Sequence, residues 1–86
     1  LIHKDFIKIT KIKMKGTVIK QENRQFVRVQ FSIDEDDIHF KNYPTPTTEK
    51  HFKEGDKVEF QSKKERYVYD DGSEEIIEWA VELKKQ

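Results

Sequence analysis

The sequence contains no cysteine, only two prolines and three scattered glycines, and no long uncharged apolar run. Without cysteine the chain forms neither a disulfide framework nor a thiolate metal site. No window approaches the roughly 18 apolar residues that a transmembrane helix needs. The sequence also lacks a phosphate-cradling glycine loop and any motif that sets a nucleophile against a base. We therefore expect a protein that is not an enzyme, has no cofactor and no metal, and does not bind a membrane.

Leucine and alanine are scarce, with two Leu and one Ala against nine Ile, six Val and ten aromatic residues. Branched and aromatic side chains suit a pleated sheet, whereas leucine and alanine suit helices, so this composition predicts an all-β protein. With 86 residues, 34% of them hydrophobic, the chain can bury one small core. A catalytic cleft between two lobes is therefore excluded.

Charge is abundant but unevenly distributed. Lysine and arginine balance aspartate and glutamate at 17 each. Residues 1–28 nevertheless carry eight basic and two acidic groups, and residues 34–86 carry nine basic and fifteen acidic groups. A basic first third is suited to contact phosphate if its lysines share one face. The alternative is that these lysines only solvate the outer side of a strand, and the sequence leaves both interpretations open.

Alternating apolar and polar residues predict the strands. The clearest strand covers residues 25–33, where Val27, Val29, Phe31 and Ile33 face one way and Phe26 faces the other. The two prolines predict a long loop over residues 42–55. Residues 6–9 and 12–20 are also extended, either as two pieces or as one strand with a bulge near Thr10–Lys11. Further strands are predicted over residues 37–41 and 56–61. Residues 67–69 and 76–83 are predicted to pair as a hairpin around the turn Asp70–Ser73.

Five main strands in about seventy residues favour a small closed sheet, because closure protects the edges of a sheet this small. We predict a five-stranded OB-type barrel over residues 14–86, with an SH3-like barrel as the competing fold. Residues 1–13 form an N-terminal extension that could add a strand. The chain begins with Leu rather than Met. We therefore expect a domain excised from a longer protein. Because the sequence shows neither a signal peptide nor cysteine, we expect it in the cytoplasm or nucleus.

Five pieces of the sequence fall in the order of a known family's motifs. They are Lys15–Val18, Phe26–Val29, Asp36–Phe40, Phe52–Phe60 and Trp79–Leu83. In this order, over roughly residues 14–84, the chain resembles the cold-shock domain, a nucleic-acid-binding OB-fold. The resemblance implies a ligand face on the first three barrel strands, where outward aromatic side chains stack on bases.

The resemblance places Phe26, His39 and Phe40 at platform positions of that family. Lys20 stands where the family has a tryptophan, and Arg28 and Asp37 stand where it has aromatic residues. Arginine can replace part of the platform because guanidinium planes stack on bases, whereas an aspartate would repel phosphate. The predicted nucleic-acid-binding residues are Phe26, Arg28, His39 and Phe40, with Lys13, Lys15 and Lys20 supplying charge.

Several side chains keep two interpretations. Phe40 shares the phase of Ile38 and fits either the core or the ligand face. Tyr43 could edge a ligand groove or anchor the loop, and Trp79 is expected in the core. We expect His39 to face the same side as Phe26. The acidic residues 34–37 are expected to form an ordinary turn.

The function predicted from these features is a non-catalytic module that binds single-stranded RNA or DNA. The alternative is a protein–protein interaction module that kept a cold-shock-like barrel and lost its nucleic-acid ligand. Zero net charge, Asp37 and the reduced set of aromatics favour that alternative. A protein partner, or another domain of the parent protein, is therefore also expected.

Overall fold

A computed structural model of the protein describes the backbone of residues 1–86 and every side chain except that of Ile33. The predicted inward orientation of Ile33 therefore lies outside the described residues. Strands account for 67% of the chain, and no helix is present in the described residues. The strands are β1 (His3–Ile9), β2 (Met14–Gln21), β3 (Arg24–Asp34), β4 (Asp37–Pro44), β5 (Lys57–Val68) and β6 (Glu74–Lys85). The prediction of an all-β fold is confirmed.

All pairings in the sheet are antiparallel, and the strand order is β1-β5-β2-β3-β4, with β6 also paired to β5. β2, β3 and β4 form a meander whose first turn is the two-residue loop Glu22–Asn23, where both residues have positive φ. Such turns match the twist of a hairpin. The sheet curls into a half-barrel, so the predicted OB-type barrel is confirmed in this partly open form.

β1 and β2 lie end to end along the same edge of β5. β1 pairs with residues 63–68 of β5, and β2 pairs with residues 57–60. Between the two strands, the backbone N–H of Thr10 donates to the carbonyl oxygen of Ser62 over 2.9 Å, and the two hydroxyl oxygens are 3.0 Å apart. The N-terminal segment therefore consists of two extended pieces, one of the two arrangements that its pattern allowed.

A small core lies inside the curl. Its buried side chains are Val18, Val27, Tyr43, Val58, Phe60 and Ala80. The rings of Tyr43 and Phe60 are tilted against each other, with centroids 5.2 Å apart. Tyr43 is therefore a core residue rather than the edge of a ligand groove. Trp79, which we expected in the core, is half-buried outside this cluster, and its Nε1 donates to the Tyr67 hydroxyl over 3.2 Å.

β5 is longer than its sequence pattern predicts. Residues 62–66 are polar and charged, and they separate the predicted strand 56–61 from the predicted hairpin, yet the structure continues the strand through them. Pairing with β1 on one edge and with β6 on the other holds these residues extended. The hairpin itself is confirmed, since the N–H of Tyr69 donates to the carbonyl oxygen of Ser73 across the turn.

The predicted long loop begins after Pro44 and not at residue 42, because β4 is an edge strand, where a proline is tolerated. One buried amide anchors this loop. Gln25 is 3% exposed. Its Nε2 donates to the Thr45 hydroxyl over 3.2 Å and to the Lys50 carbonyl oxygen over 3.0 Å. Its Oε1 accepts from the backbone N–H of Phe52 over 2.8 Å. These bonds satisfy the buried side chain and hold the loop against one end of the barrel.

An ion pair joins the last strand of the meander to β6. No backbone ladder links β4 to β6 in the described strands, and Lys41 instead bonds Glu78 through its ammonium. Burial alone would raise the pKa of the Glu78 carboxyl, but Lys41 holds that pKa below its ordinary value. The hydrogen bond to Glu78 in turn raises the pKa of Lys41.

Gly16→Ala is expected to destabilise the protein. A Cβ at Gly16 would lie 2.5 Å from Cγ1 of Val27 and 2.8 Å from the Arg28 carbonyl oxygen, so the neighbouring strand must shift. Overpacking of this kind lowers the free energy of unfolding by about 1–3 kcal/mol. Urea denaturation of the variant and the wild type measures the difference. Lys15→Ala, one residue away and pointing to solvent, is the control and should change stability little. Equal stability of the two variants would contradict the close approach of β2 and β3.

Glu78→Gln is expected to lower the free energy of unfolding at neutral pH. A carboxyl whose folded-state pKa is depressed contributes stability above its unfolded pKa and loses it as the pH falls through the folded pKa. The difference from the wild type should therefore shrink below about pH 4.3, the ordinary glutamate value. Denaturation midpoints between pH 7 and pH 3 test this. The exposed Glu35→Gln is the control, and a Glu78→Gln difference that persists at low pH would contradict the ion-pair account.

Candidate nucleic-acid interface

The pairing register decides which side chains of the meander point outward. Val27 lies directly opposite Val18 of β2 and Tyr43 of β4, and all three are buried. Directly opposite residues in an antiparallel pair share one face, and successive residues alternate between faces. Phe26 and Arg28 therefore lie on the side of the sheet away from the core.

We call this surface the outer face. It combines basic, aromatic, aliphatic and neutral polar side chains and one carboxylate, from four strands. Its residues are Lys15, Thr17, Ile19 and Gln21 of β2, Arg24, Phe26, Arg28, Gln30 and Ser32 of β3, Ile38, Phe40, Asn42 and Pro44 of β4, and Lys57 and Glu59 of β5.

Two arginines lie over the two phenylalanines of the outer face. Cζ of Arg28 is 5.4 Å from the ring centroid of Phe40, and Cζ of Arg24 is 5.4 Å from that of Phe26. Nε of Arg28 also donates to Oδ1 of Asn42 over 3.2 Å, which holds the guanidinium between β3 and β4. The outer face thus presents two cation–aromatic units on adjacent strands.

A depression of 310 Å³ opens on the outer face between the first of these units and β5. Nζ of Lys57 donates to the Thr17 hydroxyl over 2.8 Å at its edge. Its lining residues are Lys15, Gly16, Thr17, Arg28, Gln30, Phe40, Lys57 and Gln86. Gly16 contributes only its backbone to this lining, because a Cβ at that position would point at Val27 on the core side of β2.

The outer face is basic despite the zero net charge of the chain. Its strands contribute four cationic side chains, those of Lys15, Arg24, Arg28 and Lys57. The one carboxylate among its strand residues is Glu59, which lies opposite Lys15 in the ladder between β2 and β5. Most of the acidic residues of the second half of the chain therefore lie elsewhere.

Phe40 points outward and is 59% exposed. The inward phase of β4 is set by Tyr43, three residues further on, so Phe40 and Ile38 fall on the opposite side. This settles the orientation that the sequence left open. Phe40 joins Phe26 and Arg28 on one surface, as the predicted site requires.

His39 lies on the other face, and the expectation that it faces the same side as Phe26 is wrong. It stands opposite Phe31 in the ladder, on the side of β4 that carries Tyr43. Its Nε2 is 3.1 Å from Oδ1 of Asp37. Asp37 shares that phase, so the carboxylate expected to repel phosphate is also absent from the outer face.

Lys20 is not part of the outer face either. It follows Val18 at a spacing of two and so has the inward phase. Its Nζ lies 3.0 Å from Oε1 of Gln25 and 3.1 Å from Nδ1 of His51, and its backbone N–H donates to the Glu54 carboxylate over 3.1 Å. Lys20 therefore fastens the long loop instead of supplying charge to the predicted site.

Lys13 precedes β2 and lies apart from the two cation–aromatic units. It lines a second depression of 310 Å³, together with residues of β5 and β6. Of the three lysines predicted to supply charge, the structure brings only Lys15 together with Phe26, Arg28 and Phe40.

Sequence reasoning missed Arg24 and Lys57. Arg24 continues the alternation of Phe26 and Arg28, but it precedes residues 25–33, where the pattern predicts the strand. Lys57 reaches the outer face only because β5 pairs with β2 in the register that sets it opposite Thr17. No local pattern reveals a register between strands forty residues apart.

The acidic segment between β3 and β4 forms a turn in which the Asp36 N–H donates to Oδ1 of Asp34 over 3.0 Å. Among the described side chains, no cluster of three or more His, Asp or Glu residues is arranged to hold a metal ion. Within the described residues, no helix is long and apolar enough to cross a bilayer.

Comparison of the chain with protein-family models, with curated proteins and with solved structures gave no match. The resemblance to the cold-shock domain, carried by Phe26–Val29 and Phe52–Phe60, therefore stays a prediction.

Proposed function

We propose that the outer face binds single-stranded RNA or DNA, and that the protein is a non-catalytic binding module of the cytoplasm or nucleus. The observation that carries the proposal is the placement of Phe40 beneath the guanidinium of Arg28, next to Lys15 and Lys57. Aromatic platforms combined with positive charge are the usual means of holding a single strand.

Stacking is the first part of the proposed mechanism. Phe26 and Phe40 lie in adjacent strands on one surface, each with an arginine over its ring. A base can stack on the guanidinium plane or take its place on the ring, since both are flat. Phe40 and Arg24 are exposed to solvent, and Phe26 and Arg28 are half-buried. Each stacked base contributes about 1–3 kcal/mol.

Electrostatic attraction is the second part. Arg24 and Arg28 lie along β3, and Lys15 and Lys57 flank the depression. Cationic side chains therefore border the stacking groups both along a strand and across the strands. Phosphates that approach these side chains release condensed counterions, which makes affinity fall as salt rises. A surface that stacks on bases and contacts phosphates has little sequence preference, because every base has a π-face.

Phe40→Ala is expected to weaken the binding of a labelled single-stranded RNA at least fivefold, because one stacking platform is lost. Fluorescence anisotropy at low and physiological salt measures the affinity. The matched control is Phe31→Ala, which removes a phenylalanine from the opposite face of the same sheet. Equal losses in the two variants would contradict the proposed face. No binding of RNA or single-stranded DNA even at low salt would reject the function and leave the protein-interaction alternative.

Two substitutions of Arg28 separate its plane from its charge. Arg28→Lys keeps the charge and loses the stacking plane, so we expect weaker binding with an unchanged salt dependence. Arg28→Gln also loses the charge and should reduce the slope of log affinity against log salt by about 0.7, the value for one phosphate contact to a single strand. Anisotropy titrations over a salt series measure both. An unchanged slope in Arg28→Gln would show that Arg28 contacts no phosphate.

A further inference from the structure

β1 is an edge strand whose outer edge carries no partner in the described residues. It stands at one end of the strand order and pairs on one side only, with β5. An edge strand of this kind leaves a row of backbone N–H and C=O groups free to pair with another strand. This edge lies in the extension of the sheet formed by β1, β5 and β6, away from the meander that carries the outer face.

The edge is unusually apolar for a solvent-exposed strand. Phe6 is 59% exposed, Ile7 46% and Ile9 37%. Leu1, Ile2 and Ile12, just outside the strand, are exposed as well, which makes six of the ten exposed large hydrophobic residues of the described structure. Clustered exposed apolar side chains mark interaction surfaces more often than isolated ones do.

β1 is held firmly along its inner edge. Asp5 accepts from the Arg66 guanidinium over 2.6 Å, and Lys4 lies 3.0 Å from the Glu65 carboxylate. The hydrogen bond from Arg66 lowers the pKa of Asp5. These contacts order the strand before any partner arrives, so its free edge is a preformed template rather than a loose terminus.

The charge of the edge is positive. β1 and the connection after it contain Lys4, Lys8, Lys11 and Lys13 against the single acid Asp5. Among the described side chains, Lys8, Lys11 and Lys13 form no ion pair, whereas Asp5 is already bonded to Arg66. Edge lysines prevent indiscriminate strand pairing, but they attract a strand that carries carboxylates.

A second copy of the chain fits this edge poorly. Two β1 strands paired antiparallel about their middle residue, Phe6, would set Lys4 of one copy opposite Lys8 of the other. Like charges directly opposite each other in a sheet are destabilising. In this centred register the lysines therefore disfavour self-association, whereas they attract an acidic partner.

We propose that the free edge of β1 binds an extended peptide segment of a partner protein, in which acidic residues alternate with apolar ones. The segment adds a strand to the sheet next to β1, places apolar side chains against Phe6 and Ile9, and brings carboxylates to Lys8 and Lys11. A peptide backbone alternates donors and acceptors as the edge does. A nucleic-acid backbone offers phosphate acceptors without matching donors, so this edge favours a peptide.

The test uses a fluorescent peptide of the length of β1 in which glutamate alternates with valine. We expect saturable binding to the protein, and at least tenfold weaker binding to the K8E/K11E variant, because two attractions become repulsions. The control is K50E/K53E, which makes the same charge change in the loop and should bind the peptide like the wild type. A peptide with lysine in place of glutamate should not bind.

A second peptide tests strand addition itself. It keeps the glutamates and valines but is N-methylated at two consecutive central residues, which removes backbone donors from both of its edges. We expect at least tenfold weaker binding, and hydrogen-exchange protection of β1 amides with the parent peptide only. The proposal would be overturned if the methylated peptide bound as tightly as the parent peptide, or if the K8E/K11E variant bound the parent peptide as tightly as the wild type. An absence of peptide binding, or a K8E/K11E variant that loses affinity only for single-stranded RNA, would overturn it as well.

Discussion

The pairing of Val27 with Val18 and Tyr43 is the constraint on which the outer face depends. These three side chains lie opposite one another on adjacent strands and are buried together. A slip of one residue in either ladder would turn every side chain of that strand to the other face. The core therefore fixes the positions of Phe26, Arg28 and Phe40 although none of them belongs to it.

β5 is the strand that joins the two parts of the sheet. It pairs with β2 at its beginning, with β1 at its end, and with β6 along most of its length. The same strand thus places Lys57 beside the depression and holds β1 as an ordered edge. The two candidate surfaces lie at different parts of one sheet, so the two proposed ligands, a nucleic acid and a peptide, would not compete for the same residues.

Much of the fold was predictable from local patterns. The strict alternation around Val27 and the Asp-Gly turn each predicted the element that is found, whereas the prolines predicted the long loop with a start three residues too early. The full length of β5 was not predictable, because residues 62–66 have no apolar pattern and are held extended by their neighbours on both edges. Tertiary pairing outweighs local sequence preference at such positions.

The candidate site was predictable in part. Phe26 and Arg28 followed from alternation within one strand. His39 and Lys20 were placed by the family resemblance, although the phases of Tyr43 and Val18 put both on the inward side. Lys57 depends on a register between distant strands, which the sequence alone does not display. Phase relative to a buried neighbour was thus a better guide than motif position.

The most direct measurement of the central claim is an NMR titration of the isotope-labelled protein with a short single-stranded RNA. The account predicts that signals of Phe26, Arg28 and Phe40 shift together, while those of His39 and Lys20 on the inward side stay in place. Shifts centred on His39 and Lys20, or none in β2, β3 and β4 at saturating RNA, would contradict the assignment of the outer face.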